Sequence, residues 1–80
     1  MELAVFIQKL SDEVAAELFD VPRRTIAAWR RMERAPGPLQ SLEIIEKSGG
    51  EISWEGIYRP YARYRLRQKN QQNRQQNQGV

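Results

Sequence analysis

Five arginines fall between residues 23 and 34, in the run "PRRTIAAWRRMER", and their side chains set the first chemical question. A guanidinium is a planar fork of donors that matches guanine O6 and N7 in a major groove, or two oxygens of a phosphate. Nothing else in the 80 residues offers competing chemistry of the catalytic kind. There is no cysteine and no histidine, which excludes disulfides, thiolate or imidazole metal sites, and any nucleophile or base of those types. Catalysis would need paired carboxylates in a pocket, whereas the acids here are spread along expected helical faces. The sequence therefore predicts no enzyme, no cofactor, no metal and no small-molecule substrate.

Ile26 and Trp29 lie three residues apart and give the arginine segment one apolar side. With that side inward, Arg23, Arg24, Ala27, Ala28 and Arg31 project outward. The two alanines leave a low-relief surface that can lie deep in a major groove, and their methyls can meet thymine methyls. These five residues are the expected base contacts, with Arg23 and Arg24 first among them; a phosphate is the alternative for one of those two, and the backbone for Arg31. Arg30 and Arg34 are assigned to phosphates together with Thr25 and Ser11, Ser11 because free N–H groups at a helix start can hold a phosphate. For Arg30 and Arg34 an equal alternative is a solvated arginine complementing the helix dipole.

The elements that must position these residues can be read outward from them. Leu3, Phe6, Ile7 and Leu10 form the stripe of a first amphipathic helix. Ser11 is an N-cap candidate for a second helix running to about Phe19, with Asp12 and Glu13 in its first turn. Pro22 suits the first turn of a third helix over about residues 22–33. "RAPGPL" is a loop, Pro38 opens a fourth helix with Leu39, Leu42 and Ile45 as its buried face, and "SGG" closes it. Ser53 then caps a short helix that is expected to end before Pro60. In "YARYRLR" three apolar residues alternate with Arg63, Arg65 and Arg67, which favours a strand, although Tyr61 and Tyr64 also suit a basic helix. The polar, low-complexity residues 69–80 are expected to be a disordered tail.

The second and third helices carry a further signal. A helix-turn-helix needs a small residue where its helices cross, an apolar residue in the turn and apolar positions on the inner face of its second helix. Ala16, Val21, Ile26 and Trp29 meet those demands at matching offsets. An ordinary helical hairpin would explain the same apolar residues, but not the arginines and alanines of the opposite face. The whole stretch from "VAAELFDVPRRTIAAWRRM" to "GGEISWEGIYRP" resembles the Cro-type, YdaS-like helix-turn-helix regulators of phages and prophages. In those proteins a recognition helix ending in tryptophan is followed by a proline-containing loop, a helix like "LEIIEKSGG" and a final Arg-Pro. The resemblance implies a mostly α, five-helix, lambda-repressor-like domain over residues 1–60 that represses transcription from a short palindromic operator, usually as a dimer. Asp20 stands where glycine is common in that pattern, and Pro22 stands where a serine or threonine cap is common.

Charge is segregated along the chain. Residues 1–21 hold one Lys against five acids and residues 22–34 five Arg against one acid; residues 35–58 hold one Lys against four acids, and residues 59–80 six basic residues and no acid. Such alternation creates local fields that a polyanion feels despite a net charge of only +3. Double-stranded DNA is the expected partner, with a second copy of the chain. The candidate dimer residues are Trp54, Ile57, Tyr58, Tyr61, Tyr64 and Leu66, with residues 61–68 as a dimerising or DNA-contacting extension. Two alternatives are that Trp54 and Ile57 cap the monomer core and that the arginine-rich segment is an arm on DNA. A protein-interaction module, such as an antirepressor or antitoxin, and an RNA binder are the competing classes. No membrane segment can be assembled from the short apolar runs, so a cytoplasmic protein is expected, in the bacterial host if phage-encoded.

Overall fold

Leu3, Ala4, Phe6 and Ile7 bury one side of the first helix, and around that side the other elements are laid. The computed structural model describes the backbone of residues 1–78 and the side chains of residues 1–70. Its helices are α1 (Leu3–Leu10), α2 (Asp12–Phe19), α3 (Arg23–Arg30), α4 (Pro38–Lys47) and α5 (Trp54–Gln78), with no strand among the described residues. Helices α1, α2 and α3 pack on one another, α4 closes the α2 side, and the start of α5 covers α1 and α4. The shared core holds Phe6, Ile7, Phe19, Ile26, Trp29, Ile44, Ile52 and Ile57. Ala15 and Ala16 are buried between the helices, where only a small side chain permits close approach. Among the described residues no helix is long and apolar enough to cross a membrane.

A single residue joins α1 to α2. Ser11 donates its N–H to Ile7 O at 2.8 Å, while its hydroxyl accepts the Val14 N–H at 3.3 Å and caps α2. Serving both helices places Ser11 at φ 90°, ψ 156°, a region that is essentially glycine's own and costs other residues about 1–3 kcal/mol. Ser11→Gly should therefore raise the thermal midpoint by a few degrees, because glycine at an N-cap forfeits only a few tenths of a kcal/mol. Ser11→Ala should lower it, because the cap is lost and the strain is kept. Equal shifts of one sign in the two variants, measured by thermal denaturation, would show that the backbone is unstrained.

The α2–α3 turn consists of Asp20, Val21 and Pro22. Asp20 is left-handed at φ 56°, and the N–H groups of Asp20 and Val21 bond Glu17 O and Ala16 O at 3.4 and 3.1 Å. This paired closure is one that glycine usually occupies and aspartate tolerates. Pro22 sits just ahead of α3 as its N-cap, with extended ψ of 150°. Helix α3 ends at Arg30, short of the expected residue 33. Met32 turns left-handed at φ 64°, and Met32 and Glu33 donate to Trp29 O and Ala28 O at 3.2 and 2.9 Å, closing the helix before the proline loop.

Helix α4 begins at Pro38 as expected, yet its inward face differs. Ser41 and Ile44 are buried, whereas Leu39 is 80% and Leu42 45% exposed; Ile45 is only half-buried. A polar network sets this roll. The Tyr58 hydroxyl donates to Pro36 O at 2.8 Å and lies 2.9 Å from the Ser41 hydroxyl. Each buried polar group is thereby satisfied, which outweighs burying one more leucine. Gly49 ends α4 at φ 67°. Ser48 then folds the chain back, its hydroxyl donating to Ile45 O at 2.9 Å and accepting the Ile52 N–H at 3.1 Å.

Ser53 caps α5 through the Gly56 N–H at 3.1 Å. A Cβ on Gly56 would overlap the Met1 carbonyl, so residues 1 and 2 cross α5 where only glycine fits. The expected stop before Pro60 does not occur, and the favoured strand over residues 61–67 is not formed. Pro60 lies inside α5, one hydrogen bond is forgone, and the helix propagates from turns already fixed by Ile57 and Tyr58. No other strand exists among the described residues to pair with "YARYRLR". The segment expected to be a disordered tail is helical through Gln78, in keeping with its Gln, Arg and Lys content. Gly79 and Val80 lie outside the described residues.

Candidate nucleic-acid interface

Ile26 is wholly buried and Trp29 nearly so, and these two fix the roll of α3. At 3.6 residues per turn, Arg24 and Arg31 then fall on the side opposite the core, with half-exposed Ala27 and Ala28 between them. Arg23 and Arg30 share a flank facing α2. Of the five residues expected to project outward, Arg24, Ala27, Ala28 and Arg31 share the outer side and Arg23 does not.

Arg30 is committed elsewhere. Its Nε and Nη2 donate to Asp12 Oδ1 and Oδ2, both at 2.9 Å, tying the end of α3 to the start of α2 through a bidentate pair. A phosphate at Arg30, the expected partner, would have to compete with Asp12 for the same guanidinium donors. Asp12, read only as a favourable first-turn acid, is half of this clamp. The hydrogen bond from Arg30 holds the Asp12 carboxyl below its ordinary range against a smaller opposing effect of burial, and the charges of Arg30, Arg31 and Arg23 add to the lowering. Arg30 is in turn held more firmly protonated.

Because the folded carboxyl titrates below the unfolded one, the clamp's stabilisation is full above about pH 4 and fades as acid reaches the lowered value. Asp12→Asn should be less stable at neutral pH and should lose less of its remaining stability below about pH 4. Parallel acid-unfolding curves for the two proteins would show that the pair is not formed in solution.

Arg23 borders a surface cleft with Glu13 and Glu17 of α2 and Asp20 of the turn, so acidic side chains surround it on that flank. Arg24 borders another cleft with Thr25, Ala28, Glu33 and Arg34. The structure thus brings Arg24, Thr25, Ala28 and Arg34 together and sets Arg23 apart. Ser11 stands exposed at the start of α2, but its hydroxyl is already engaged as the cap.

The six candidate dimer residues do not form one surface. Ile57 is 3% exposed and belongs to the core. Tyr58 is anchored on Pro36, and Tyr61 lines a narrow cleft with Leu3, Trp29 and Met32. Trp54 is 46% exposed and stacks on Tyr58 with ring centroids 6.1 Å apart. Tyr64 and Leu66 project from α5 beyond the core.

Among the described residues no cluster of metal-ligating side chains occurs. Comparison of the chain with the patterns of known protein families, with curated proteins and with solved structures finds no match.

Proposed function

We propose that the chain is a sequence-specific double-stranded DNA-binding regulator of the Cro type, in which α2 and α3 form a helix-turn-helix and α3 enters the major groove. The observation that carries the reading is the outer face of α3: Arg24 and Arg31 flank Ala27 and Ala28, opposite a side locked by Ile26 and Trp29. A flat centre lets the helix approach the base pairs, and an arginine near each end supplies bidentate donors. Arg34 and Thr25, beside Arg24, suit the adjoining phosphates. The Asp12–Arg30 clamp holds the two helices at a fixed angle, so the base-reading side chains arrive preorganised.

One helix in one groove reads few base pairs, so the reading includes a two-fold dimer on an inverted repeat with half-sites about 34 Å apart. Binding to such an operator represses transcription in the cytoplasm where the DNA lies. Selection of bound duplexes from a random library tests the function. The expected outcome is an inverted-repeat consensus bound far more tightly than random duplex, with affinity falling steeply as salt rises. Absence of any consensus, or no duplex binding at low salt, would sink the proposal.

A further inference from the structure

We infer that the projecting part of α5 is a second DNA-contacting element, an arm that lies on phosphates flanking the site read by α3. The inference rests on the duplex-DNA reading above and extends it to a surface outside α3. Residues 59–69 hold five basic side chains and no acid, and beyond Tyr61 every residue to Asn70 is exposed. A helical stretch with so little tertiary support is marginal in water by itself, which points to a partner.

Charge selects that partner. Packing α5 against its own copy would set two net-basic helices side by side, which like-charge repulsion opposes, whereas a polyanion neutralises them. Arg65 lies over the Tyr61 ring, 5.9 Å from its centroid, and Gln68 donates to the Tyr64 hydroxyl at 2.9 Å. These contacts occupy one side of the helix. Arg59, Arg63 and Arg67 recur every four residues along another. Arg59 lies 3.8 Å from Glu55, but among the described residues neither Arg63 nor Arg67 is in an ion pair.

Position relates the arm to the proposed site. Arg63, Tyr64 and Arg67 border one cleft with Met32, the residue that turns the chain just after α3, and with Glu2, which is too far to form an ion pair with either arginine. Tyr61 borders another with Met32 and Arg34. The arm therefore leaves the body beside the C-terminal end of α3, and residues 59–69 span about 16 Å of helix, enough to reach several successive phosphates.

The test is the full-length Arg63→Gln, Arg67→Gln double variant, titrated against the selected duplex and a scrambled duplex of equal length at several salt concentrations. The expected result is a slope of log affinity against log salt shallower by about 2 for each chain bound, so by about 4 for a dimer on the inverted repeat. Affinity should fall by the same factor on both duplexes, with an unchanged sequence preference. An unaltered slope overturns the arm while leaving the α3 reading intact. So does a loss traced by sedimentation to weaker self-association, with monomer binding unchanged. If the slope falls as expected but Arg24→Ala leaves sequence preference untouched, the arm stands and the α3 reading fails.

Discussion

Trp29→Ala is expected to remove about 3–5 kcal/mol of folding stability, the range for truncating a large buried aromatic. For a domain of this size that corresponds to a thermal midpoint lower by more than about 12 °C, or to no folded state at ambient temperature. Trp29 is 4% exposed. It lies where α3 meets Leu3 and Ala4 of α1, the loop residue Pro36 and α5 at Ile57 and Tyr61. A cavity there separates three elements at once, and in a small domain little core remains to compensate. Trp54 provides the comparison within the same chain, since it is largely exposed and stacks on Tyr58. Trp54→Ala should cost far less. Chemical denaturation followed by circular dichroism measures both, and near-equal midpoints for the two variants would show that Trp29 is not the keystone of this packing.

What could be read in advance follows the range of the interactions concerned. The stripe Leu3, Phe6, Ile7, the buried Ala16 and the pair Ile26 and Trp29 are local periodic signals, and α1, α2 and α3 form where those residues place them. Ser11, Pro38, Gly49 and Ser53 act through their own backbone conformation or a hydroxyl a few residues from its donor, so they also mark helix ends correctly. Helix α4 turns another face inward because its roll is set by Tyr58 and Pro36, whose bonds to Ser41 and to each other span loops and carry no periodic trace. Three leucine and isoleucine positions at helical spacing were thus a weaker guide than one buried serine.

The same distinction holds at the candidate site. The outer face of α3 follows from two core residues within it, but Asp12 and Arg30 are eighteen positions apart and announce nothing locally. Pro60 is the converse case, a local signal that the surrounding helix overrides. Its disfavour for the preceding helical turn is real, yet Ile57 and Tyr58 fix that turn from outside, and α5 continues.

Arg24→Ala is expected to weaken binding to the selected duplex about 5- to 150-fold, the 1–3 kcal/mol of a bidentate base contact, with a much smaller effect on scrambled duplex. Sequence alone places Arg23 and Arg24 on equal terms at the leading end of α3. The fold separates them. Arg24 stands opposite Ile26 and Trp29, next to Ala28 and Arg34 with Glu33 as the one acid of that cleft, where a groove floor would lie. Arg23 sits on the α2 flank beside Glu13, Glu17 and Asp20, where a phosphate could be reached but acidic neighbours weaken the attraction. Arg23→Ala should therefore cost less than Arg24→Ala and should cost the same on selected and scrambled duplexes. The comparison is informative because both variants remove one exposed arginine from the same turn, so net charge and helix propensity change alike. Only the direction of the side chain differs. If Arg23→Ala is the variant that relaxes sequence preference, α3 enters the groove rolled toward α2, and Ala27 replaces Ala28 at its centre. If both lose affinity equally on every duplex, α3 tracks phosphates and the bases are read elsewhere.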